Sequence, residues 1–316
     1  MLWCALVLTA GIIISLVVRY LRAEKTANFG LQGWVGLCVV AVSGVLLIAD
    51  VRLVGLYFTP LAWTGYILIV DAAVFSLQRR SPIRSAPETL LWMAIVSLFL
   101  CLIFELYNNE LLNRTYVGFP RGMLARYLGY GWLFMTVCPV VLETAGLLLA
   151  LKGPKRKKPL PSSLPMKTTV PWTLLGVMLA IIPVLASWPI KVYLFAMVWF
   201  GFILLADTIN YRASRSSILG DLLVGYRTRL WALLETGVII GFLGEFWNYW
   251  ARAKWLYIFP IFENYTFFEM PIIGYLGFPL LVATVFSMYI LMTDLLNLPY
   301  YDIDVDFHSG NEKSLA

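Results

Sequence analysis

Nine stretches of the chain are apolar for long enough to cross, or nearly cross, the ~30 Å hydrocarbon core of a bilayer, a distance that takes about 20 helical residues. They run from about residue 2 to 18, 34 to 51, 54 to 77, 89 to 106, 124 to 151, 171 to 188, 192 to 211, 231 to 250 and 271 to 295. The pattern therefore predicts an all-α integral membrane protein of about nine transmembrane helices. The first stretch has no basic start and no A-x-A site, and its arginines, Arg19 and Arg22, follow the apolar run. It reads as a retained helix rather than a cleaved leader.

The pattern also repeats. Trp63, Gly65 and Asp71 reappear 136 residues later as Trp199, Gly201 and Asp207. Further on, at an offset of 140, Glu105 meets Glu245, Asn108 meets Asn248, Phe119-Pro120 meets Phe259-Pro260, Pro139 meets Pro279 and Thr144 meets Thr284. The expected architecture is a leading helix (residues 1–30), a four-helix unit (31–151), a linker (152–170), a second four-helix unit (171–296) and a polar tail (297–316). An even number of spans per unit inserts both copies the same way up, so the repeat is parallel, about an axis along the membrane normal.

Composition agrees: 60% of residues are hydrophobic and 13% charged, and mean hydropathy is +0.80, outside the range of a soluble domain. The formal charge of +6 reads as topology. With the N-terminus outside and the C-terminus cytosolic, seventeen of the 24 Lys and Arg lie on the inner side; Arg52, Arg114, Arg121, Arg126, Lys191, Arg252 and Lys254 remain outside. That excess is the positive-inside signature of a bacterial inner (plasma) membrane protein, and it accounts for the basic pI without nucleic acid. The run Lys155 to Lys158, followed by Pro159, Pro161, Ser162 and Ser163, reads as a cytosolic linker able to meet anionic headgroups.

Absent chemistry narrows the site. The one histidine, His308, lies in the tail, so no bis-His haem or His-based di-metal site can form in the bilayer. Cys4, Cys38, Cys101 and Cys138 fall on four different predicted helices and read as packing residues. Asp302, Asp304 and Asp306 alternate in what reads as a solvated tail. No metal and no cofactor is expected. What remains is carboxylate, amide, phenol and indole.

A carboxylate in lipid needs a partner or a purpose. Glu105, Glu143 and Glu245 are the candidate reactive acids. Asn108 lies three residues after Glu105, on the same helix face. Glu245 is followed at three, four and seven residues by Asn248, Tyr249 and Arg252. A carboxyl oriented by an amide can donate or accept a proton. The competing reading is a structural clasp at the helix end, with Glu245 neutralised by Arg252 or Lys254. Asp71 and Asp207 each stand within two turns of arginine, Arg79 and Arg80 for the first and Arg212 for the second, which predicts interfacial ion pairs. Both also join the candidate ligand-binding set with Asn108 and Asn248. Glu143 has Ala283 at the matching position, and is the best single candidate for an unpaired functional acid. The segment from Phe246 to Phe268 carries Trp247, Tyr249, Trp250, Trp255, Tyr257 and Tyr265, which read as interface anchors or as rings over a carboxylate. Trp247, Tyr249, Trp250 and Arg252 complete the candidate ligand set.

The strings Trp-Thr-Gly-Tyr-Ile-Leu-Ile-Val-Asp (63–71) and Glu-Phe-Trp-Asn-Tyr-Trp-Ala (245–251), with Phe-Glu-Met-Pro and Gly-Tyr-Leu-Gly-Phe-Pro after the latter, resemble a bacterial family of duplicated polytopic inner-membrane proteins with no assigned activity. A fainter likeness is to integral-membrane carotenoid cyclases, which are duplicated, helical, metal-free and dependent on acidic residues. Their Pro-x-Glu-Glu signature is not found here, so their reaction does not transfer. Three functions fit the residues. One is a membrane enzyme that moves protons on a lipid or isoprenoid-like substrate. Another is a transporter or lipid-handling protein that binds between the units. The third is a non-catalytic subunit whose outer aromatic loop docks a protein partner.

The charge asymmetry makes a direct prediction. Alkaline phosphatase fused after Asn113 is expected to be active and fluorescent protein fused after Lys158 or Ser314 to shine; an active phosphatase at Lys158 overturns the orientation.

Overall fold

The computed structural model describes residues 1–153, 166–258 and 264–303. Lys155 to Lys158 with its proline-serine continuation, Phe259-Pro260, Asp304, Asp306 and His308 lie outside them. The described chain is a helical bundle of α1 (Leu2–Arg22), α2 (Leu31–Ile48), α3 (Arg52–Gln78), the short α4 (Pro82–Ser85), α5 (Pro87–Leu111), α6 (Met123–Met135), α7 (Val137–Lys152), α8 (Met166–Leu185), α9 (Phe195–Arg212), the short α10 (Ile218–Leu223), α11 (Thr228–Trp250) and α12 (Gly277–Leu295). Two 3₁₀ turns, Ile190–Tyr193 and Ile272–Leu276, lead into α9 and α12. Strands are few: β1 (Arg114–Val117), β2 (Lys254–Tyr257), β3 (Thr266–Phe267) and β4 (Met270–Pro271).

Among the described residues, eight helical segments are long and apolar enough to cross a membrane. The segment Met123–Lys152 counts as one of them, its helix broken at Thr136 between α6 and α7. The expected span at 192–211 is not among the eight. It appears as α9, whose last turns carry Asp207, Thr208, Asn210, Tyr211 and Arg212 and dilute its apolar character.

At the centre stands α7. Every residue from Cys138 to Leu149 is buried, because α3, α5, α11 and α12 all pack against it. Helices apolar on all sides belong either in a core or in lipid; α7 takes the first place, while α1 and α2, apolar but largely exposed, take the second. Two helix pairs approach through glycine. A Cβ on Gly36 would lie 2.5 Å from the Gly65 carbonyl oxygen, and one on Gly65 2.9 Å from the Gly36 oxygen, so α2 and α3 cross backbone to backbone. On α8 and α9, Gly176 and Gly201 meet in the same way, each Cβ position falling 2.8 or 2.9 Å from the other's oxygen. Close small-residue crossings of this kind let dispersion replace the hydrophobic drive that lipid does not provide.

Proline shapes α3. Pro60 has no N–H for the preceding turn, and the helix departs from regular geometry at Tyr57. The Gly55 carbonyl nearby accepts the Arg252 N–H at 2.9 Å, so a backbone group at the kink is used to hold the entry to β2.

Charged pairs gather at the two ends of the bundle. At one end Arg19 pairs with Glu235, which also meets Lys152 at 3.5 Å, and Arg215 pairs with Asp294. At the other, Arg114 pairs with Glu105, Arg252 with Asp50, Lys191 with Glu110 at 3.6 Å and Lys254 with Glu269 at 2.6 Å.

The glycine crossings can be tested by filling them. Gly65→Val and Gly201→Val are expected to push their helices apart and cost on the order of 1–3 kcal/mol, read as a lower melting temperature in detergent. Gly44→Ala, on α2 with no atom within 4 Å of its Cβ position, should melt like the wild type. Equal melting of all three would show that the crossings are not tight in the protein.

Candidate functional site

The site begins where α5 and α11 run out. α5 closes on Leu112 in the left-handed conformation, its N–H returning to the Asn108 carbonyl. The chain then turns back, and the Asn108 side chain takes both polar groups of one residue: the Arg114 N–H donates to Oδ1 at 2.9 Å and Nδ2 donates to the Arg114 carbonyl at 3.1 Å. Asn248, fully buried on α11, does the same for Trp255, with distances of 3.0 and 2.9 Å. Each asparagine thus starts a strand. A neutral amide suits the task, since it offers a donor and an acceptor together and leaves no charge in the bilayer interface.

The two strands pair with each other. Arg114 stands opposite Tyr257 and Tyr116 opposite Trp255, in an antiparallel ribbon. Gly118 ends β1 with φ +73°; its missing Cβ would fall 1.9 Å from the Arg252 carbonyl oxygen, so only glycine fits there. The ribbon aims its side chains at two acids. Glu105 pairs with the Arg114 guanidinium and accepts the Tyr116 hydroxyl at 2.6 Å. Glu245 accepts Trp255 Nε1–H at 3.1 Å and the Tyr257 hydroxyl at 2.8 Å, both on Oε1. Its Oε2 has no hydrogen-bond partner among the described residues, and the residue is fully buried.

The electrostatics keep this end in one protonation pattern. Burial pulls against the charge of Arg114, but Tyr116 and Glu105 outweigh it and hold the guanidinium protonated above its ordinary range. Burial lifts the Tyr116 phenol, with Glu105 adding to the rise, and burial followed by Glu245 lifts Tyr257. Both phenols therefore stay O–H donors to their carboxylates.

Behind the ribbon a cavity of about 500 Å³ opens into the bundle, a size typical of small-molecule sites. Arg114, Tyr116, Glu245, Trp255 and Tyr257 form its polar end. Leu100, Phe104, Phe134, Val140, Leu281 and Val285 are among the side chains of its apolar body. The shape is that of a slot for a molecule with one polar end.

The other sequence candidates fall elsewhere. Glu105 lies behind Arg114 and outside the cavity wall, and Asn108 and Asn248 hold the strands. Trp247 is buried against Trp63 (ring centroids 4.6 Å apart) and Tyr66. Tyr249 and Trp250 pack edge to face at 5.0 Å on the far side of α11, with Phe268 against Tyr249. Of the rings read as a cover for a carboxylate, only Trp255 and Tyr257 bond Glu245. The expected neutralisation of Glu245 by Arg252 or Lys254 is not found: Arg252 pairs with Asp50 and Lys254 with Glu269. α11 ends at Trp250 and Ala251 is extended, ψ 147°, so helical phase no longer carries Arg252 to the face of Glu245.

Asp71 and Asp207 are also reassigned. Asp71 accepts Ser81 Oγ–H at 2.9 Å, the Ile83 N–H at 2.9 Å and Gln32 Nε2–H at 3.2 Å. Asp207 accepts the Ile218 and Leu219 N–H groups, both at 2.7 Å. Asp207 receives two free N–H groups of α10 and Asp71 one of α4 beside two side-chain donors, rather than a neighbouring arginine; Arg79 instead donates to the Thr26 carbonyl at 2.8 Å. Such helix starts favour a negative group. Glu143, on α7, is fully buried with neither oxygen hydrogen-bonded among the described residues. It does not line the cavity, but lies one turn beyond Val140, which does.

Arg114, Tyr116, Trp255 and Tyr257 are the site residues that helical spacing does not reveal. A signal was present: a tyrosine stands two residues after Arg114 and two residues after Trp255, the residues that the asparagines hold. No protein-family model, curated protein or solved structure matches the chain. The chain is a mostly helical protein with eight apolar helices of membrane-spanning length among its described residues.

Removing an asparagine clasp should free its strand. In Asn248→Ala the Trp255 N–H and carbonyl lose their partners, a cost of about 1–3 kcal/mol for each stranded group. Hydrogen exchange is expected to speed up by at least tenfold at the Trp255 amide while the amides of α7 stay protected. Unchanged exchange at Trp255 would refute the clasp.

Proposed function

We propose that the chain is an inner-membrane protein of nine spans with its N-terminus outside, built from a leading helix and two parallel four-helix units, and that it takes a lipid or isoprenoid-like molecule into the cavity for acid/base chemistry at Glu245. The carrying observation is the cavity itself, an apolar slot of about 500 Å³ whose polar end includes a buried carboxyl with one oxygen unengaged. Buried polar atoms are nearly always paired, and exceptions concentrate where function needs them.

Matched contacts support the two-unit reading. Glu105 with Asn108 and Tyr116 and Glu245 with Asn248 and Tyr257 make equivalent bonds. The ribbon pairs the strand that follows Asn108 with the strand that follows Asn248. The two glycine crossings and the two aspartate-held short helices extend the match. A ninth crossing by α9 is supported by its charges: Lys191, before it, pairs with Glu110 at the ribbon end, and Arg215, after it, pairs with Asp294 at the opposite end.

In this reading Glu105 and Glu245 have parted roles. Glu105 neutralises Arg114 and so fixes the ribbon; among the described residues Glu245 has no cation of its own and has one oxygen without a hydrogen bond, with which to give or take a proton. The indole and phenol on Oε1 orient the carboxyl so that Oε2 is the atom left for exchange. A transporter would share the cavity and return its ligand unchanged, so conversion of an added isoprenoid by enriched membranes separates the two.

Glu245→Gln keeps an acceptor for Trp255 and Tyr257 but cannot carry a proton. It is expected to melt close to the wild type while losing conversion of the substrate or retention of the co-purified lipid, followed by mass spectrometry. Glu105→Gln leaves Arg114 without its counter-charge and should lose on the order of 2 kcal/mol of stability. If Glu245→Gln melts far below the wild type and Glu105→Gln does not, the roles are reversed.

A further inference from the structure

Most of the residues that line the cavity are buried or half-buried. Of the residues that line it, the exposed ones are Tyr193 and Ala196 on one side and Ile273 and Leu276 on the other. All four belong to the 3₁₀ turns that lead into α9 and α12, or to the first turn after them. Leu276 is 70% exposed and Tyr193 50%. Gly277, next to Leu276 and itself in the cavity wall, has no atom within 4 Å of its Cβ position. The opening is thus at this seam, and its rim is apolar. An entrance for a water-borne ligand would be rimmed with polar side chains; an apolar rim on a membrane helix bundle faces lipid.

The polar end of the cavity then limits the head of the ligand. Among the described lining residues its one cation, Arg114, is already paired with Glu105, and Glu245, also in the wall, has its Oε1 held by Trp255 and Tyr257. What the ligand meets is a pair of phenols, an indole, the Glu245 carboxyl, the neutral Asn113 and Thr136 and a neutralised guanidinium. An anionic head finds no unpaired cation and a second carboxyl nearby, while a cationic head is set against the guanidinium. A hydroxyl can both donate to and accept from phenol hydroxyls and carries no charge into an enclosed site.

We propose that the cavity is loaded sideways from the bilayer, through the seam between the turns Ile190–Tyr193 and Ile272–Leu276, by a membrane-resident long-chain molecule with an uncharged, hydroxyl-type head. This rests on the reading that the cavity holds an amphiphile, and the two can fail separately. The test uses the full-length protein in liposomes with two probes, a long-chain primary alcohol bearing a photoreactive diazirine in its chain and the fatty acid of the same length. After illumination, labelled peptides are mapped by mass spectrometry.

The alcohol is expected to label the cavity segments around Leu100 to Phe104 and Leu280 to Val285 in the wild type, at least tenfold above the acid. Gly277→Phe fills the open space at the seam and should cut that labelling about tenfold. Leu276→Asp, at a site too exposed to disturb the core, should do the same by making the rim polar. Melting temperatures near the wild type confirm that both variants fold. Equal labelling in the wild type and both variants overturns the seam as the entrance. Labelling by the acid as strong as by the alcohol overturns the uncharged head. No cavity labelling by either probe, in liposomes or in detergent, sinks the amphiphile reading beneath both.

Discussion

The architecture of the polar end depends on one small contact, the closing of an asparagine side chain on both backbone groups of a residue six or seven positions later. Where a helix ends at a membrane surface, its chain must either reach water or find internal partners. Asn108 and Asn248 provide those partners and in doing so start β1 and β2. The strands complete each other, and the ribbon that results carries Arg114 and Tyr116, which bond Glu105, and Trp255 and Tyr257, which bond Glu245. Remove the amides and the ribbon has no fixed start, the acids lose their donors, and the cavity loses its polar wall. Two neutral side chains thus control the placement of two charged ones.

The same economy of polar groups is seen at the opposite end. Asp71 and Asp207 hold short helices by their free N–H groups, where the sum of two or three hydrogen bonds to a carboxylate replaces hydration. The serines that begin those helices, Ser81 and Ser217, complete the arrangement: Ser81 bonds Asp71 directly, and Ser217 caps the Gly220 N–H at 2.9 Å. Both ends of the bundle therefore avoid stranded charge by local hydrogen bonds to backbone, with long-range ion pairs such as Arg19 with Glu235 added where elements from distant parts of the chain meet.

Apolar length and period made the helices legible in the sequence, because lipid tolerates few other spanning structures. The shared acids and asparagines were legible as well, since duplicated polar residues in apolar runs need a common reason. Inference failed wherever it carried helical phase past a helix end. Arg252 is seven residues from Glu245 and would share its face on a continuous helix, yet the turn at Ala251 sends it to Asp50. Arg79 follows Asp71 by two turns, but lies at a left-handed C-cap with φ 61°, and its side chain reaches Thr26. The ribbon was missed because four-residue strands give no period to count; only the recurrence of tyrosine at 116 and 257 hinted at it. Trp247 and Trp250, read as part of an aromatic cluster over a site, are separated by the helix itself, one inward against Trp63 and the other outward.

Glu143 is where the recurrence of polar residues along the sequence breaks off. Its counterpart position holds Ala283, and the next residues, Thr144 and Thr284, have also taken different tasks: Thr144 shares a hydrogen with Tyr66 at 3.0 Å, whereas Thr284 donates within α12 and towards the Trp199 carbonyl. Both positions are buried, Glu143 fully and Ala283 nearly so. An acid in the enclosed helix has no water to turn to, and its oxygens have no hydrogen bond in the described structure. Such a group costs several kcal/mol in a bilayer interior, and a bundle selected for stability alone would replace it with alanine, as stands at position 283. Its neighbours are polar in their turn: Tyr66 bonds the adjacent Thr144, and the Tyr301 hydroxyl lies against Gly146, one turn further along α7. The central helix thus carries its one acid one turn from Val140, in the cavity wall, and one turn from Gly146, where the chain segment that returns after α12 packs.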